Sequence, residues 1–192
     1  NKMMGLRDYI NICDALGLHI TFKGIGEDGT ISGLSKGDRL LFIESLSRAI
    51  GIQLRELWES RSDEDIYWYE LLQVHKTIAA YKEANFKIDF TDLLNQFIES
   101  GTAPNCPILI VDEAQDLSPI QWKVVDKLAE NAEEVYVAGD DDQAIFCWAG
   151  ANPKQLIELP GNREVLPLSY RVPPLIQDVA NDIVSRIGSR IP

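Results

Sequence analysis

The stretch PILIVDEAQD, residues 107–116, decides the fold class. The apolar residues 107–111 predict a buried β-strand, and acidic side chains follow it at once. The carboxyl ends of the strands in a parallel α/β sheet are where such proteins bind ligands. Asp112, Glu113 and Asp116 would repel one another there unless a cation or strong donors offset their charge. We therefore expect a hydrated Mg²⁺ at this strand end rather than a solvated acidic turn.

Two further segments repeat the arrangement of an apolar strand followed by polar residues. Residues 139–151, GDDDQAIFCWAGA, follow the apolar run 135–138. Residues 166–173, LPLSYRVP, overlap the end of a third predicted strand, Glu164–Leu168. Four helices are predicted among these strands from capping residues and prolines: Thr91 to about Ser100, Ser118 to about Asn131, Asn152 to about Leu159, and Pro173 to Ile187. Alternating strands and helices are typical of a parallel sheet, so this half predicts an α/β fold.

Residues 1–87 carry a mainly helical pattern. The predicted helices are Gly5–Leu16, Ser35–Ile50, Gln53–Arg61 and Asp63–Ala84. A short β-like segment, His19–Lys23, and a turn at 26–29 separate the first two. The longest helix has apolar residues at alternating spacings of 4 and 3, namely Tyr67, Leu71, Val74, Ile78 and Tyr81. Such a stripe is typical of a packing seam, so we interpret it as the core of a helical subdomain.

At its polar segments the chain resembles the UvrD/Rep-like superfamily 1 DNA helicases. The matches follow the order of that family: residues 111–116 resemble the Walker B motif (motif II), 139–151 the coupling motif (III) and 166–173 the start of motif IV. The sequence DFTDLL, residues 89–94, is similar to the segment that precedes Walker B in the family. The resemblance covers residues 88–175 and implies ATP-dependent movement on DNA.

The resemblance also implies a domain organisation. It implies a partial RecA-like (P-loop NTPase) parallel sheet with a mainly helical insertion: a 1B-like subdomain over residues 1–87, a 1A-like motor lobe over 88–168, and motif IV with the start of a second lobe over 169–192. A P-loop of the form GxxxxGK[ST] does not occur in the 192 residues. We therefore expect an internal segment of a larger helicase, and we expect the isolated chain not to hydrolyse ATP.

The family's ATP-site roles map onto a few residues of this chain. Asp112 is expected to hold Mg²⁺ through water, and Glu113 to orient and deprotonate the attacking water. Gln143 matches the glutamine that senses the γ-phosphate. The resemblance implies that Tyr170 stacks on adenine and that Arg171 reaches the γ-phosphate across the cleft. Gln115 and Asp116 are expected to link the site to neighbouring loops, and Asp140 to Asp142 to cap a short helix rather than bind Ca²⁺.

Two aromatic residues of the coupling segment are candidates for contact with DNA. Phe146 and Trp148 lie in a loop flanked by Gly and Ala, where large aromatic side chains should be covered or stacked on a ligand. Their family counterparts stack on bases of single-stranded DNA. The alternative is that both are core aromatics. The chain departs from the family here, because Phe146 replaces the common Tyr and Ala149 the common Arg.

The net charge and the amino-acid composition narrow the range of possible functions further. The net charge is −12, with 11 basic and 13 acidic side chains in residues 1–87 against 7 and 17 in residues 88–192. Because Lys and Arg dominate phosphate binding, we expect this chain to bind DNA weakly by itself. Three widely spaced cysteines, Cys13, Cys106 and Cys147, predict packing thiols in a reducing compartment. With no apolar stretch near 18 residues, we expect a cytoplasmic, DNA-associated protein without a membrane span.

These observations lead to one preferred function and two alternatives. We predict part of an ATP-dependent helicase or translocase that acts on single-stranded or partial duplex DNA, with 3′-to-5′ movement implied by the resemblance. The first alternative is a segment of a related helicase-nuclease subunit. The second is a non-catalytic ATPase-like module that binds DNA or partner proteins. Glu113, Gln143 and Arg171 argue against the second alternative, because such a module has no need of them.

Overall fold

The computed structural model describes residues 1–21, 34–61, 63, 65–166 and 168–186. Its elements are, in chain order, β1 (Lys2–Met3), α1 (Leu6–Ala15), α2 (Lys36–Ile50), α3 (Leu54–Ser60), α4 (Trp68–Asn85), β2 (Lys87–Ile88), α5 (Phe90–Ser100), β3 (Ile108–Val111), α6 (Pro119–Ala129), β4 (Glu134–Val137), α7 (Pro153–Ile157) and α8 (Pro174–Val184). No helix among the described residues is long and apolar enough to cross a membrane. The predicted turn at 26–29 and the end of the segment His19–Lys23 lie outside the described residues.

The strands form two parallel pairs. β1 pairs with β2, with Lys2 opposite Lys87, and β3 pairs with β4 from Ile108 opposite Glu134 to Val111 opposite Val137. Helix α6 connects β3 to β4 and also contacts β3. Parallel strands joined through a helix confirm the α/β class predicted from the alternating pattern.

The prediction that β3 is a buried strand is wrong for one of its faces. Successive side chains of a strand point to opposite faces, and Ile108 and Ile110 share one of them. Ile108 is 53% exposed and Ile110 is 71% exposed, whereas Leu109 and Val111 on the other face are half-buried. No described element covers the face of Ile108 and Ile110, so apolar character alone did not determine burial.

The predicted third strand, Glu164–Leu168, is also wrong. Residues 164–166 and 168 are not in a strand, and Val165, Leu166 and Leu168 are all more than half exposed. A strand needs a neighbour that satisfies its backbone groups, and each described sheet contains only two strands, neither of which pairs with this segment. The apolar residues here therefore match the sequence pattern of a strand without forming one.

The helical half has a continuous apolar core. Its buried residues come mainly from α2 and α4, with additions from α1, α3 and the segment before α4: Leu40, Ile43, Leu46, Leu71, Val74, Ile78, Ile12, Leu57 and Ile66. The predicted seam of α4 is confirmed at its centre, where Leu71, Val74 and Ile78 are at most 2% exposed. Tyr67, the first residue of the predicted stripe, is 54% exposed, because it precedes the helix rather than lying in it.

Capping explains where several helices begin. Ser35 precedes α2 and accepts a hydrogen bond from the backbone N–H of Asp38, as predicted for an N-cap. The predicted caps Asp63 and Thr91 are wrong. Helix α4 begins only at Trp68, and Asp63 instead accepts a hydrogen bond from Arg39 at 2.7 Å. Helix α5 begins one residue before Thr91, and its cap is a different acidic residue.

That cap, Asp89, also joins the helical half to the α/β half. Its carboxylate accepts hydrogen bonds from Arg48 of α2, at 2.5 and 2.9 Å, and from Lys82 of α4, while its Oδ1 caps the N–H of Asp92. Burial disfavours the charge, yet the two cations hold the pKa of Asp89 well below its usual range. Helices α2, α4 and α5 are therefore fixed to one another at one buried carboxylate.

Candidate nucleotide and DNA site

The end of β3 carries the two predicted catalytic carboxylates. Asp112 and Glu113 are both exposed, and Asp112 Oδ1 accepts a hydrogen bond from the N–H of Glu113 at 2.9 Å. Glu113 has φ of 53° and ψ of 40°, the left-handed region, which costs a residue with a side chain roughly 1–2 kcal/mol. Backbone strain of this kind concentrates at functional positions. The sharp turn at Glu113 leads directly into a single 3₁₀ turn, Ala114–Asp116.

Gln115 is the most buried polar residue of this loop, with 1% of its surface exposed. Its Nε2 donates a hydrogen bond to Glu113 Oε2 at 2.7 Å, and its Oε1 accepts one from the backbone N–H of Asp140 at 3.0 Å. The backbone N–H of Ala114 also donates to the carbonyl of Ala138 at 3.0 Å. The loops after β3 and β4 are thus joined by a side chain as well as by the backbone.

The loop after β4 continues the same hydrogen-bonded chain. Gln143 Nε2 donates to Asp140 Oδ2 at 2.5 Å, and Asp140 Oδ1 accepts from the N–H of Asp142 at 3.1 Å. The second bond caps the 3₁₀ turn Asp141–Gln143, so the predicted capping role is confirmed for Asp140, whereas Asp141 and Asp142 lie within the turn. The structure therefore brings Glu113 and Gln143, predicted from separate motifs, into one network.

Asp116 lies beside this network and borders a cleft. Its Oδ1 is buried and has no hydrogen-bond partner in the described part of the chain. Burial, followed by the charge of Glu113, raises the pKa of its carboxyl. The cleft has a volume of about 320 Å³ and is lined by Phe90, Leu94, Asp116, Phe146 and Ala149, among others. The cleft thus combines an apolar, partly aromatic lining with a few polar side chains, a composition typical of small-ligand sites.

The two candidate DNA-binding aromatics differ in their surroundings. Phe146 is 41% exposed and borders the cleft. Trp148 is half-buried, and its ring lies 6.3 Å from that of Phe42 on α2, at 40°. Its indole N–H has no hydrogen-bond partner among the residues that the structure describes. The ring of Phe146 also lies 6.3 Å from that of Trp148, at 57°. Phe146 is thus the more exposed of the two rings, whereas Trp148 packs partly against the helical half.

Tyr170 and Arg171 are not brought to the site. Tyr170 is 94% exposed and Arg171 is also exposed. Within the described part of the chain, no hydrogen bond or ion pair joins either side chain to the carboxylates at the end of β3. They follow residues 164–168, where the expected strand did not form, so no regular element positions them. Their predicted contacts with adenine and the γ-phosphate remain predictions.

The donor set at Asp112 fits a metal only in part. No group of three or more His, Cys, Asp or Glu side chains among the described residues could hold a metal by itself. A single exposed carboxylate at a strand end suits Mg²⁺, which retains several waters and is otherwise bound by nucleotide phosphates. Mg²⁺ binding at Asp112 therefore remains a prediction that requires a nucleotide.

Two features of the site were missed in the sequence. The buried triad of Asp89 with Arg48 and Lys82 was not expected, although Asp89 and Asp92 have the spacing of a capping box, which is a readable signal. Phe90, which walls the cleft, follows Asp89 in the DFTDLL segment but was not singled out. Nothing in the local sequence identifies Arg48 as the partner of Asp89, because 41 residues separate them.

Comparison with known proteins identifies the family. The sequence model of the UvrD/REP helicase N-terminal domain matches residues 38–162. The ATP-dependent DNA helicase PcrA of Leuconostoc citreum is 25% identical over 205 residues, which cover 100% of this chain and 27% of the relative. The ATP-dependent DNA helicase Rep of Buchnera aphidicola subsp. Acyrthosiphon pisum is 30% identical over 70% of this chain and 22% of its own length. Rep of Escherichia coli (strain K12) is 33% identical over 42% of this chain and 13% of its own length.

The chain spans about a quarter of the length of the first two of these relatives. The family match covers the Walker B segment, the coupling segment and most of the helical half, including α2 and α4. The resemblance drawn from the motifs is therefore confirmed, and the chain belongs to the UvrD/Rep helicase family.

Proposed function

We propose that this chain is the part of an ATP-dependent DNA helicase in which the Walker B carboxylates meet the coupling loop. The observation that carries the proposal is the hydrogen-bonded chain from Glu113 through Gln115 and Asp140 to Gln143. It lies at the carboxyl ends of two adjacent parallel strands, where α/β proteins bind nucleotides. The domain assignment of residues 88–168 as a partial RecA-like lobe is part of the same proposal.

In this proposal the two exposed carboxylates, Asp112 and Glu113, have separate roles in ATP hydrolysis. Asp112 would hold Mg²⁺, and the metal would offset the charge of the ATP phosphates when both are bound. Glu113 orients the attacking water and accepts its proton. Gln143 contacts the γ-phosphate with an uncharged amide. Tyr170 contacts the adenine and Arg171 the γ-phosphate only after their segment moves to the cleft. Both side chains are exposed, so no packing among the described residues holds them in their present position.

Single-stranded DNA is the proposed partner of the coupling loop. Phe146 presents a half-exposed ring beside the cleft, and a base stacked on such a ring contributes about 1–3 kcal/mol. Trp148 packs against Phe42 of α2 and so supports the loop, and the exposed part of its ring contacts the DNA. The names of the relatives support DNA as the partner, and the 3′-to-5′ direction is proposed from the family resemblance.

Substitution of the proposed base tests the function. In the full-length protein, Glu113→Gln should retain ATP binding but lower the DNA-stimulated rate of ATP hydrolysis at least about 100-fold, because loss of a general base typically costs 10²- to 10⁴-fold. ATP affinity is measured by fluorescent-nucleotide titration and turnover by phosphate release with and without single-stranded DNA.

A matched control separates charge from chemistry. Glu133→Gln removes the same charge from an exposed residue next to β4, at the opposite end of the strand pair, and should leave turnover within about twofold. Near-normal turnover in Glu113→Gln would remove Glu113 from its proposed role. A wild-type protein that binds single-stranded DNA but shows no ATP hydrolysis would instead support the non-catalytic alternative.

A further inference from the structure

Gln115 forms side-chain hydrogen bonds with both the proposed catalytic base and the loop after β4. We propose that Gln115 is a positioning residue through which DNA contact at the coupling loop sets the orientation of Glu113. The inference rests on the proposed function, because it assigns a role within that reaction. Gln115 does not touch the reacting atoms in this proposal. It acts on the water only through Glu113.

The chemistry of the two contacts explains why the residue is a glutamine. Glu113 Oε2 needs a donor and the N–H of Asp140 needs an acceptor, and a side-chain amide supplies both at one end. A carboxylate would repel Glu113, and an aliphatic side chain would leave a polar group unpaired. At 1% exposure, Gln115 has no water to replace either bond.

Close packing transmits movement of one loop to the other. A Cβ on Gly139 would lie 2.7 Å from Leu156 Cδ2 of α7, 2.8 Å from Gln115 Oε1 and 3.2 Å from the backbone N of Ala114. Gly139 therefore allows the loop after β4 to approach Gln115 more closely than any other residue would. Because there is no room for a side-chain carbon between Gly139 and Gln115 Oε1, a shift of this loop towards Gln115 would displace that side chain.

The same loop leads without a break to the proposed DNA contact. Asp140 holds Gln143, the N–H of Ile145 donates to the carbonyl of Gln143 at 2.8 Å, and Phe146 follows directly. A base that stacks on Phe146 would thus shift the loop at Asp140, whose N–H donates a hydrogen bond to Gln115. A shift of Gln115 would in turn move the side chain of Glu113, to which it is hydrogen-bonded and whose backbone is held in the strained left-handed region. The structure supplies a continuous path, and coupling along it is what the experiment measures.

The test uses Gln115→Glu in the full-length protein. The new carboxylate has nearly the same shape and can still accept from Asp140, but it loses the donor to Glu113 and repels it. We expect the kcat of DNA-stimulated ATP hydrolysis to fall at least about 10-fold, while KM for ATP and Kd for an oligo-dT strand stay within about threefold. Gln73→Glu, the same charge change on the exposed side of α4, is the matched control.

Gly139→Ala tests the link from the other loop and keeps Gln115 intact. Its methyl group should push on Gln115 Oε1, as well as on Leu156 Cδ2, and lower the stimulated kcat at least about fivefold. Both changes disturb the contact between Gln115 Oε1 and this loop, so their effects in the double variant should be clearly less than additive. This second variant decides the matter if Gln115→Glu does not fold.

The outcomes separate this inference from the proposed function. Stimulated turnover that is unchanged in Gln115→Glu, or in Gly139→Ala where the first variant does not fold, would overturn the positioning role. So would fully additive effects of the two changes, or a loss of kcat matched by an equal loss of ATP and DNA affinity. Absence of DNA-stimulated hydrolysis in the wild type would overturn the proposed function itself.

Discussion

At the scale of the residue, the two aromatic side chains of the coupling loop illustrate how surroundings revise a role assigned from sequence. Both were expected to contact DNA. Trp148 packs against Phe42 and is half-buried, whereas Phe146 is 41% exposed beside a cleft. Removal of Trp148 should therefore disturb folding as well as DNA binding, and Phe146 becomes the cleaner test of stacking.

We expect Phe146→Ala in the full-length protein to weaken binding of single-stranded DNA by about 1–3 kcal/mol, the contribution of one stacked base. Its free energy of unfolding should change by less than about 1 kcal/mol, because the ring is only partly covered. Fluorescence-anisotropy titration and thermal melting measure the two quantities. Phe42→Ala is the control and should lower stability, since it removes the ring that supports Trp148. Equal losses of stability in both variants would make Phe146 a core residue.

A buried carboxylate of α1 predicts a dependence of stability on pH. Asp8 accepts hydrogen bonds from the N–H of Gly5 at 2.7 Å, from Lys87 Nζ at 2.6 and 2.7 Å, and from the Tyr81 hydroxyl at 2.8 Å. These bonds, led by that from Gly5, lower the pKa of Asp8 to about 2. A depressed folded-state pKa contributes stability above the unfolded value of about 3.9, and this contribution is lost as the pH falls from about 4 towards 2.

Asp8→Asn should therefore be less stable than the wild type at pH 6, and the difference should shrink as the pH falls from about 4 towards 2. Urea denaturation of the isolated chain at a series of pH values measures this. A difference that stays constant down to pH 2 would show that the Asp8 carboxylate is not the titrating group.

At the scale of the element, the helical half supports the loop that the α/β half presents. The loop turns at Gly150, which has φ of 101° and packs against α2. A Cβ there would lie 2.7 Å from Ile50 Cγ2 and 3.0 Å from Leu46 Cδ1. The position of the coupling loop therefore depends on a helix that belongs, in sequence, to the other half of the chain.

We expect Gly150→Ala to lower stability by about 1–3 kcal/mol, because it combines a strained backbone with overlap at α2, and to weaken binding of single-stranded DNA in the full-length protein. Gly161→Ala is a matched control: its φ is 131°, but nothing lies within 4 Å of the new Cβ. The difference in melting temperature between the two variants isolates the overlap with α2. Identical behaviour would mean that α2 does not hold the loop.

Elements with local signals were predictable, and those that depend on distant partners were not. Helix α2 follows from the Ser35 cap and a glycine at position 51 in the left-handed conformation. Strands β3 and β4 follow from short apolar runs. The strand Lys2–Met3 was missed because it exists only through pairing with Lys87–Ile88, 85 residues away, and residues 164–168 failed as a strand because no described strand pairs with them. Likewise, the two motifs were readable and Gln115 was expected to link the site to neighbouring loops, but its particular partners, Glu113 Oε2 and the N–H of Asp140, depend on the pairing of β3 with β4 and could not be read from the sequence.

At the scale of the whole molecule, apolar surface and negative charge coexist. Helix α8 exposes Leu175, Ile176, Val179 and Ile183, each at more than half of its surface, and β3 exposes Ile108 and Ile110. The net charge of −12 opposes contact with phosphates but favours the solubility of such a surface.

We expect the isolated chain to bind single-stranded DNA weakly, with measurable binding in 20 mM salt lost at 200 mM. Tight binding that persists at 200 mM would contradict this expectation.

The last prediction concerns catalysis by the isolated chain, for which we expect no measurable ATP hydrolysis. Its 192 residues contain no GxxxxGK[ST] sequence to hold the phosphates, and Arg171 lies exposed rather than across a cleft from Glu113. Positioning and charge stabilisation supply nearly all of the catalysis in phosphoryl transfer, so Asp112 and Glu113 alone should achieve little. Purified chain with Mg-ATP and single-stranded DNA is assayed for phosphate release, and Glu113→Gln controls for a contaminating ATPase. Hydrolysis that persists in Glu113→Gln belongs to the contaminant, whereas hydrolysis lost in that variant would mean that residues 1–192 hold a complete site without a P-loop.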